Sequence, residues 1–146
     1  MIIIHNKGLG QAGASIVDIL GPQILIDLFL AGKFDGLSVR VPTPVVSLSD
    51  VTALLRRDVT VEQVNEAFKK AAQSNFYQGI LGVSEEPLVS RDFIGSSYSG
   101  IVDLPLTKVV GGNLIKVMVW YDNEWGYSNR LVELVADVGH YLSHSE

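Results

Sequence analysis

Cysteine is absent from the 146 residues of this chain. Its absence excludes disulfide bonds, thiolate metal sites and a cysteine nucleophile contributed by these residues. Charged residues are also scarce, at 18%, whereas 47% of the residues are hydrophobic. Since an average globular domain has about 25% charged residues, the shortage suggests that part of the surface is meant to be covered. The composition otherwise fits one globular domain.

Positively charged residues are fewer than negatively charged ones: the chain has 11 lysines and arginines and 16 aspartates and glutamates, which gives a net charge of −5. General nucleic-acid binding requires a basic surface, so no nucleic-acid partner is expected. The most apolar window, residues 13–31, contains Asp18, Asp27 and Pro22, so we expect no membrane span and no membrane partner. No secretory signal pattern follows Met1, and the expected location is therefore cytoplasmic.

The sequence changes character at residue 33. Residues 1–33 carry no net charge, and we expect them to form a divergent segment packed on the same domain as residues 34–146. In the second part, alternating apolar residues predict strands at residues 37–41, 46–49, 80–83, 99–103, 107–110 and 114–122. Gly111 and Gly112 predict a tight hairpin between the last two strands.

Two helices are predicted among these strands. Thr60, with Gln63 three residues later, has the pattern of a capping box and begins a helix that extends to about Gln73. A terminal helix from about residue 124 to 142 has apolar residues on one side. Strands that follow strands, with few helices, predict an α+β fold: a mixed, mostly antiparallel sheet with helices packed on one face.

Residues Gly8 to Gly13 have the pattern G-x-G-x-x-G. In a dinucleotide-binding fold, such a turn places a pyrophosphate at a helix N-terminus. Here the helix that could follow ends by Leu20, which is too short to cross back over a parallel sheet. A flexible glycine turn is the alternative interpretation.

The histidines offer limited chemistry. His5 follows three isoleucines, where it is either a general base at a strand end or a structural residue. His140 and His144 have the i, i+4 spacing that can bind a metal. Since no further ligand accompanies them in the sequence, no metal site is predicted.

Arg40 alternates with Val39 and Val41 and is followed by Pro42 and Pro44. A guanidinium held by a stiff backbone can bind a phosphate or carboxylate through two parallel hydrogen bonds. A surface or interface salt bridge is the alternative, and spacing alone does not separate the two.

Residues 120–129 are dense in aromatic and amide side chains. Either Asp122 or Asn123 can cap the terminal helix. Alternatively, the amide of Asn123 can pair with another amide, donor to acceptor and acceptor to donor. Aromatic residues at this junction, Tyr127 among them, suit a flat ligand or a subunit contact.

Two motifs, at residues 34–44 and 120–128, resemble the C-terminal, catalytic domain of phosphorylating glyceraldehyde-3-phosphate dehydrogenase, and residues 90–93 and 99–103 are also similar to that family. The resemblance implies an NAD-dependent oxidoreductase of glycolysis that acts on a phosphorylated aldehyde. It implies that Arg40 binds the substrate phosphate, that Asn123 binds the nicotinamide carboxamide, and that Tyr127 packs near that ring. His5 ends a segment similar to the strand that carries the family's catalytic histidine.

The sequence departs from the family in its first part. The family's cysteine motif and its NAD-binding domain have no counterpart in these residues, and the interval from His5 to Phe34 is roughly 15–20 residues short. We therefore expect a partial catalytic domain that is inactive alone and does not bind NAD tightly. The alternatives are an oligomerisation module that docks on itself or on a complementary dehydrogenase chain, and a small nucleotide-binding module that uses Gly8 to Gly13.

Overall fold

A computed structural model describes residues 39–143. The predictions for residues 1–33, including His5 and the Gly8 to Gly13 turn, lie outside the described residues, as does His144. The elements in chain order are β1 (Ser47–Leu54), α1 (Val61–Ala72), β2 (Leu81–Ser84), a 3-10 helix (Ser90–Phe93), β3 (Gly100–Val110), β4 (Leu114–Tyr121) and α2 (Trp125–Ser143).

The four strands form one sheet in the order β1-β4-β3-β2. β4 is antiparallel to both β1 and β3, whereas β2 is parallel to β3. Gly111 and Gly112 both have positive φ, at 60° and 84°, in the turn between β3 and β4. The predicted α+β fold with a mixed, mostly antiparallel sheet is confirmed, and so is the glycine hairpin.

Two strand predictions need correction. The strands predicted at residues 99–103 and 107–110 are one strand, β3, with a register shift between Asp103 and Lys108. Residues 39–41 are not a strand, and Val39 and Val41 are exposed. The prolines that follow lack the N–H a ladder requires, and the chain turns instead, with the Thr43 N–H donating to the Val41 carbonyl at 2.9 Å.

α1 packs on one face of the sheet and closes the hydrophobic core. The predicted capping box is confirmed, because Thr60 Oγ1 accepts from the Gln63 N–H at 3.3 Å and the Gln63 side chain accepts from the Thr60 N–H at 3.0 Å. The buried core joins one helix residue to side chains from three strands: Val64, Leu81, Val102, Leu104, Val117 and Val119.

The serines of β1 lie on the same face of the sheet as this core. Ser47 pairs with Tyr121 and Ser49 with Val119, and both serines are at most 1% exposed. The predicted strand at residues 46–49 is confirmed as the start of β1. The register with β4 decides which of its residues lie on the core face.

α2 contacts the described fold mainly near its first turns. Gly126 is buried, and a Cβ added there would lie 2.8 Å from the Tyr98 carbonyl oxygen. Arg130 donates to the Gly79 carbonyl at 3.2 Å. Beyond residue 130 the side chains of α2 are exposed, so the predicted apolar side of this helix adds nothing to the described core. Among residues 39–143, neither helix is long and apolar enough to cross a membrane.

The two glycines of α2 should respond oppositely to alanine. We expect Gly126→Ala to destabilise the fold by about 1–3 kcal/mol, since its Cβ would overlap backbone. We expect Gly139→Ala to stabilise by about 0.5–1 kcal/mol, since it lies in open space within a helix. Urea unfolding of both variants measures the difference, and equal effects would contradict the close contact at Gly126.

Candidate functional site

The junction between β4 and α2 is organised by the carboxylate of Asp122, which is 4% exposed. Its Oδ1 accepts from the N–H groups of Glu124 at 3.1 Å and Trp125 at 2.9 Å. Its Oδ2 accepts from the N–H of Gly95 at 2.9 Å. Of the two candidate caps, Asp122 is therefore the one that binds the first amides of α2, and it also ties α2 to the loop after the 3-10 helix.

Asn123 follows Asp122 and is half-buried. Its Oδ1 accepts a hydrogen bond from Ser47 Oγ at 3.2 Å, which joins the junction to the first residue of β1. Its Nδ2 meets no hydrogen-bond acceptor within residues 39–143. An amide whose oxygen is engaged and whose N–H donors are not is suited to bind a carbonyl oxygen of a ligand.

Trp120 supports the junction from the other face of the sheet. Its ring stacks on Phe93, with centroids 5.5 Å apart and planes 14° from parallel. Its Nε1 donates to Asp103 Oδ2 at 3.0 Å. Asp103 is only 3% exposed, and its Oδ1 finds no donor in the described part of the chain. The stack fixes Phe93, two residues before the Gly95 amide that Asp122 binds.

The exposed aromatic residues at the junction are Trp125 and Tyr127, at 55% and 63% exposure. Tyr127 lies in the first turn of α2, four residues after Asn123. Its exposure leaves it available to a flat ligand or a subunit, so both alternatives for the aromatic residues remain open for Tyr127. Trp120, by contrast, is engaged within the fold.

Arg40 is exposed in the segment that leads to β1. Within residues 39–143 it forms no ion pair, and no hydrogen bond joins it to Asn123 or Tyr127. The structure thus brings Ser47, Asp122 and Asn123 together, whereas no hydrogen bond within residues 39–143 joins Arg40 to that group. The phosphate-binding and salt-bridge interpretations of Arg40 both stay predictions.

Val46, between Arg40 and Ser47, has a φ of +73° and is 3% exposed. This left-handed conformation costs a residue with a Cβ roughly 1–2 kcal/mol, and a β-branched residue rarely adopts it. Such strain concentrates at functional sites, where the surrounding structure enforces it. Here it directly precedes the serine that binds Asn123, and no pattern in the sequence indicated it.

The comparisons with known proteins bear on this arrangement. The sequence model of the glyceraldehyde 3-phosphate dehydrogenase C-terminal domain matches residues 24–123. The chain belongs to this family. It is 50% identical over 113 residues to the glyceraldehyde-3-phosphate dehydrogenase of Zymomonas mobilis, a match that covers 77% of the chain and 34% of that protein. It is 55% identical over 107 residues to glyceraldehyde-3-phosphate dehydrogenase 1 of Bacillus cereus, covering 73% of the chain and 32% of that protein.

The chain spans about a third of the length of the curated dehydrogenases that it matches. One match extends further, since glyceraldehyde-3-phosphate dehydrogenase 2 of Streptomyces avermitilis is 49% identical over 141 residues, covering 97% of the chain and 39% of that protein. That match includes most of residues 1–33. The division of this dehydrogenase-family chain at residue 33 stays a prediction.

The two tryptophans of the junction provide a matched test of its packing. Trp120→Phe removes the hydrogen-bond donor to Asp103 and leaves a buried carboxylate, so we expect a loss of about 1–3 kcal/mol in the free energy of unfolding. Trp125→Phe, at an exposed position, should change it by less than about 0.5 kcal/mol. Urea unfolding measures both, and equal losses would contradict the assigned role of Trp120.

Because of the strain at Val46, the glycine variant at this position should be more stable than the alanine variant, the reverse of the usual order. At ordinary positions glycine is about 0.5–1 kcal/mol less stable than alanine. At position 46 the left-handed backbone penalises any Cβ, so we expect Val46→Gly to be more stable than Val46→Ala. Ala53→Gly, near the end of β1, is the control and should destabilise. Thermal unfolding ranks the variants, and a less stable Val46→Gly would show that the backbone there is unstrained.

Proposed function

We propose that this chain forms part of the catalytic domain of an NAD-dependent phosphorylating aldehyde dehydrogenase of glycolysis, located in the cytoplasm. Family membership supports the reaction class. The observation that carries the proposal is the hydrogen bond from Ser47 Oγ to Asn123 Oδ1. It fixes the orientation of the amide and leaves its donors for a ligand.

The residues at the junction fit a nicotinamide. In the proposed complex, Asn123 Nδ2 donates to the oxygen of the nicotinamide carboxamide. The ring of Tyr127, exposed in the first turn of α2, packs near the nicotinamide. The dinucleotide, when bound, supplies the oxidising ring, and the role of these residues is to orient it.

The substrate side of the proposal uses Arg40 and His5. The Arg40 guanidinium has no carboxylate partner within residues 39–143, and it can bind the phosphate of an aldehyde phosphate through two hydrogen bonds. By the family resemblance we assign His5 as the candidate general base, which removes a proton during the reaction. His5 lies outside the described residues, so that assignment rests on the sequence alone.

The 146 residues do not include the cysteine nucleophile of the family. Acyl transfer in this family requires a thiolate, and none of the 146 residues is a cysteine. We infer that the chain alone neither turns over nor binds NAD tightly. Activity then requires a thiol and a dinucleotide-binding domain contributed by residues other than these 146, and a complementary dehydrogenase chain is one source of them.

A second candidate function is oligomerisation, and one observation favours it. The apolar side of α2 is exposed by 48–65% at each of Leu131, Leu134, Val135, Val138 and Leu142. Burial of such a side against a second chain would remove apolar surface from water. Size-exclusion chromatography at rising concentration tests this function, and a strict monomer at high concentration would exclude it.

The proposed activity makes a clear prediction for the purified 146-residue chain. With aldehyde phosphate, NAD and inorganic phosphate, we expect no NADH above the uncatalysed background, because the covalent step needs a thiolate. The absorbance of NADH measures this. Turnover by the chain alone would contradict the assignment of the nucleophile to another polypeptide segment.

Nicotinamide recognition is testable without turnover. In a titration with nicotinamide mononucleotide at millimolar concentration, the side-chain amide signals of Asn123 should shift in NMR spectra. Asn123→Ala should weaken binding by roughly tenfold, as expected for one lost hydrogen bond. Asn129→Ala is the matched control, because the Asn129 amide is engaged with the Trp125 carbonyl at 2.8 Å. Equal effects of the two variants would exclude Asn123 as the nicotinamide contact.

A further inference from the structure

We propose that Asp122 is a positioning residue that sets the direction of the Asn123 amide. The proposal rests on the proposed function for the identity of the ligand, but its geometry stands on the structure. Asp122 touches no part of the proposed nicotinamide contact. It acts through the backbone on either side of residue 123.

The first step of the argument is that Asp122 brackets Asn123 along the chain. Its Oδ1 accepts from the N–H groups of the next two residues after Asn123, Glu124 and Trp125. Its main-chain carbonyl accepts from the Gly126 N–H at 2.9 Å. Such a side-chain-to-backbone turn restricts the φ and ψ angles of the enclosed residue. Residue 123 therefore leaves the strand in one direction.

The second step is that the carboxylate itself is held from outside the turn. Its Oδ2 accepts from the Gly95 N–H at 2.9 Å. Gly95 belongs to the loop that follows Phe93, and Phe93 is stacked on Trp120. The Asp122 side chain thus cannot rotate without breaking its hydrogen bond to the loop after the 3-10 helix, and this bond fixes the turn relative to the sheet.

The third step is that the direction of the turn decides whether the Asn123 side chain reaches its hydrogen-bond partner. Its partner Ser47 lies on β1, a different strand, and the Ser47–Asn123 bond at 3.2 Å spans 76 residues of sequence. That bond forms only when the turn places residue 123 beside the first residue of β1. A carboxylate is required for this, because each of its two oxygens serves a different element, whereas an amide has only one acceptor oxygen.

Asp122→Asn is the decisive variant, with Asp92→Asn as its matched control. Asp92 is an exposed aspartate that also accepts a backbone N–H, from Val89 at 2.8 Å, and within residues 39–143 no hydrogen bond joins it to Asn123 or to its flanking residues. We expect Asp122→Asn to abolish the nuclear Overhauser contact between the Asn123 side-chain amide and Ser47. We also expect hydrogen exchange at Gly95 to rise by about tenfold or more, as local protection is lost. Asp92→Asn should change neither signal.

The strand signals of β1 to β4 report whether a variant is folded. Asp122→Ala removes both oxygens and should have a larger effect on Asn123; if that variant unfolds, Asp122→Asn alone decides. A folded Asp122→Asn that keeps the Asn123–Ser47 contact would overturn the proposal. A folded variant that loses the contact supports it, since a role in general stability would not move this signal selectively.

Titration with nicotinamide mononucleotide then separates this proposal from the proposed function. We expect Asp122→Asn to raise the Kd roughly 2–10-fold, the cost of ordering one side chain on binding. An unchanged Kd in a variant that has lost the Ser47 contact would exclude Asn123 as the nicotinamide contact, which overturns the proposed function and leaves the orientation of Asn123 by Asp122 standing. If the unsubstituted chain does not respond to nicotinamide mononucleotide at Asn123, the proposed function fails, and the Overhauser contact still decides whether Asp122 orients Asn123.

Discussion

The candidate site depends first on three hydrogen bonds that the Asp122 carboxylate accepts from backbone N–H groups. These donors come from Gly95, Glu124 and Trp125, and they belong to two separate parts of the chain. A buried carboxylate without donors would be strongly unfavourable, so the first turn of α2 and the loop at residue 95 must both be in place for the site to form. The positive end of the helix dipole favours the same arrangement.

A second constraint comes from β1. The register with β4 turns Ser47 and Ser49 into the buried face, where apolar side chains would pack better. The strain at Val46 directly before Ser47 is a further cost. Both features are explained if the Ser47 hydroxyl must lie beside Asn123 for function, even though this placement lowers the stability of this corner of the sheet.

The sequence predicted the structural features that depend on interactions between neighbouring residues. The capping box of α1 and the hairpin at Gly111 and Gly112 depend on residues three or fewer positions apart, and both were predictable. The family motifs identified Asn123 and Tyr127 as site candidates. The inward direction of Ser47, the single strand β3 with its register shift, and the left-handed Val46 depend on pairing between distant strands. No neighbour in the sequence carries that information. Asp122 and Asn123 were both candidate caps, and their different roles involve contacts with distant residues, Gly95 for Asp122 and Ser47 for Asn123.

The polar groups at the junction are suited to orient a ligand or to hold the backbone in place, and none of them is a nucleophile. Asn123 offers donors on an amide held by Ser47, and Asp122 is fully engaged with backbone amides. Groups of this kind contribute to catalysis by orienting reactants, and this contribution is realised only when the reacting group is also present. On the proposed function, the junction between β4 and α2 is one part of a divided site. Its directional bonds are formed within this chain, and its reactive atom would come from residues outside these 146.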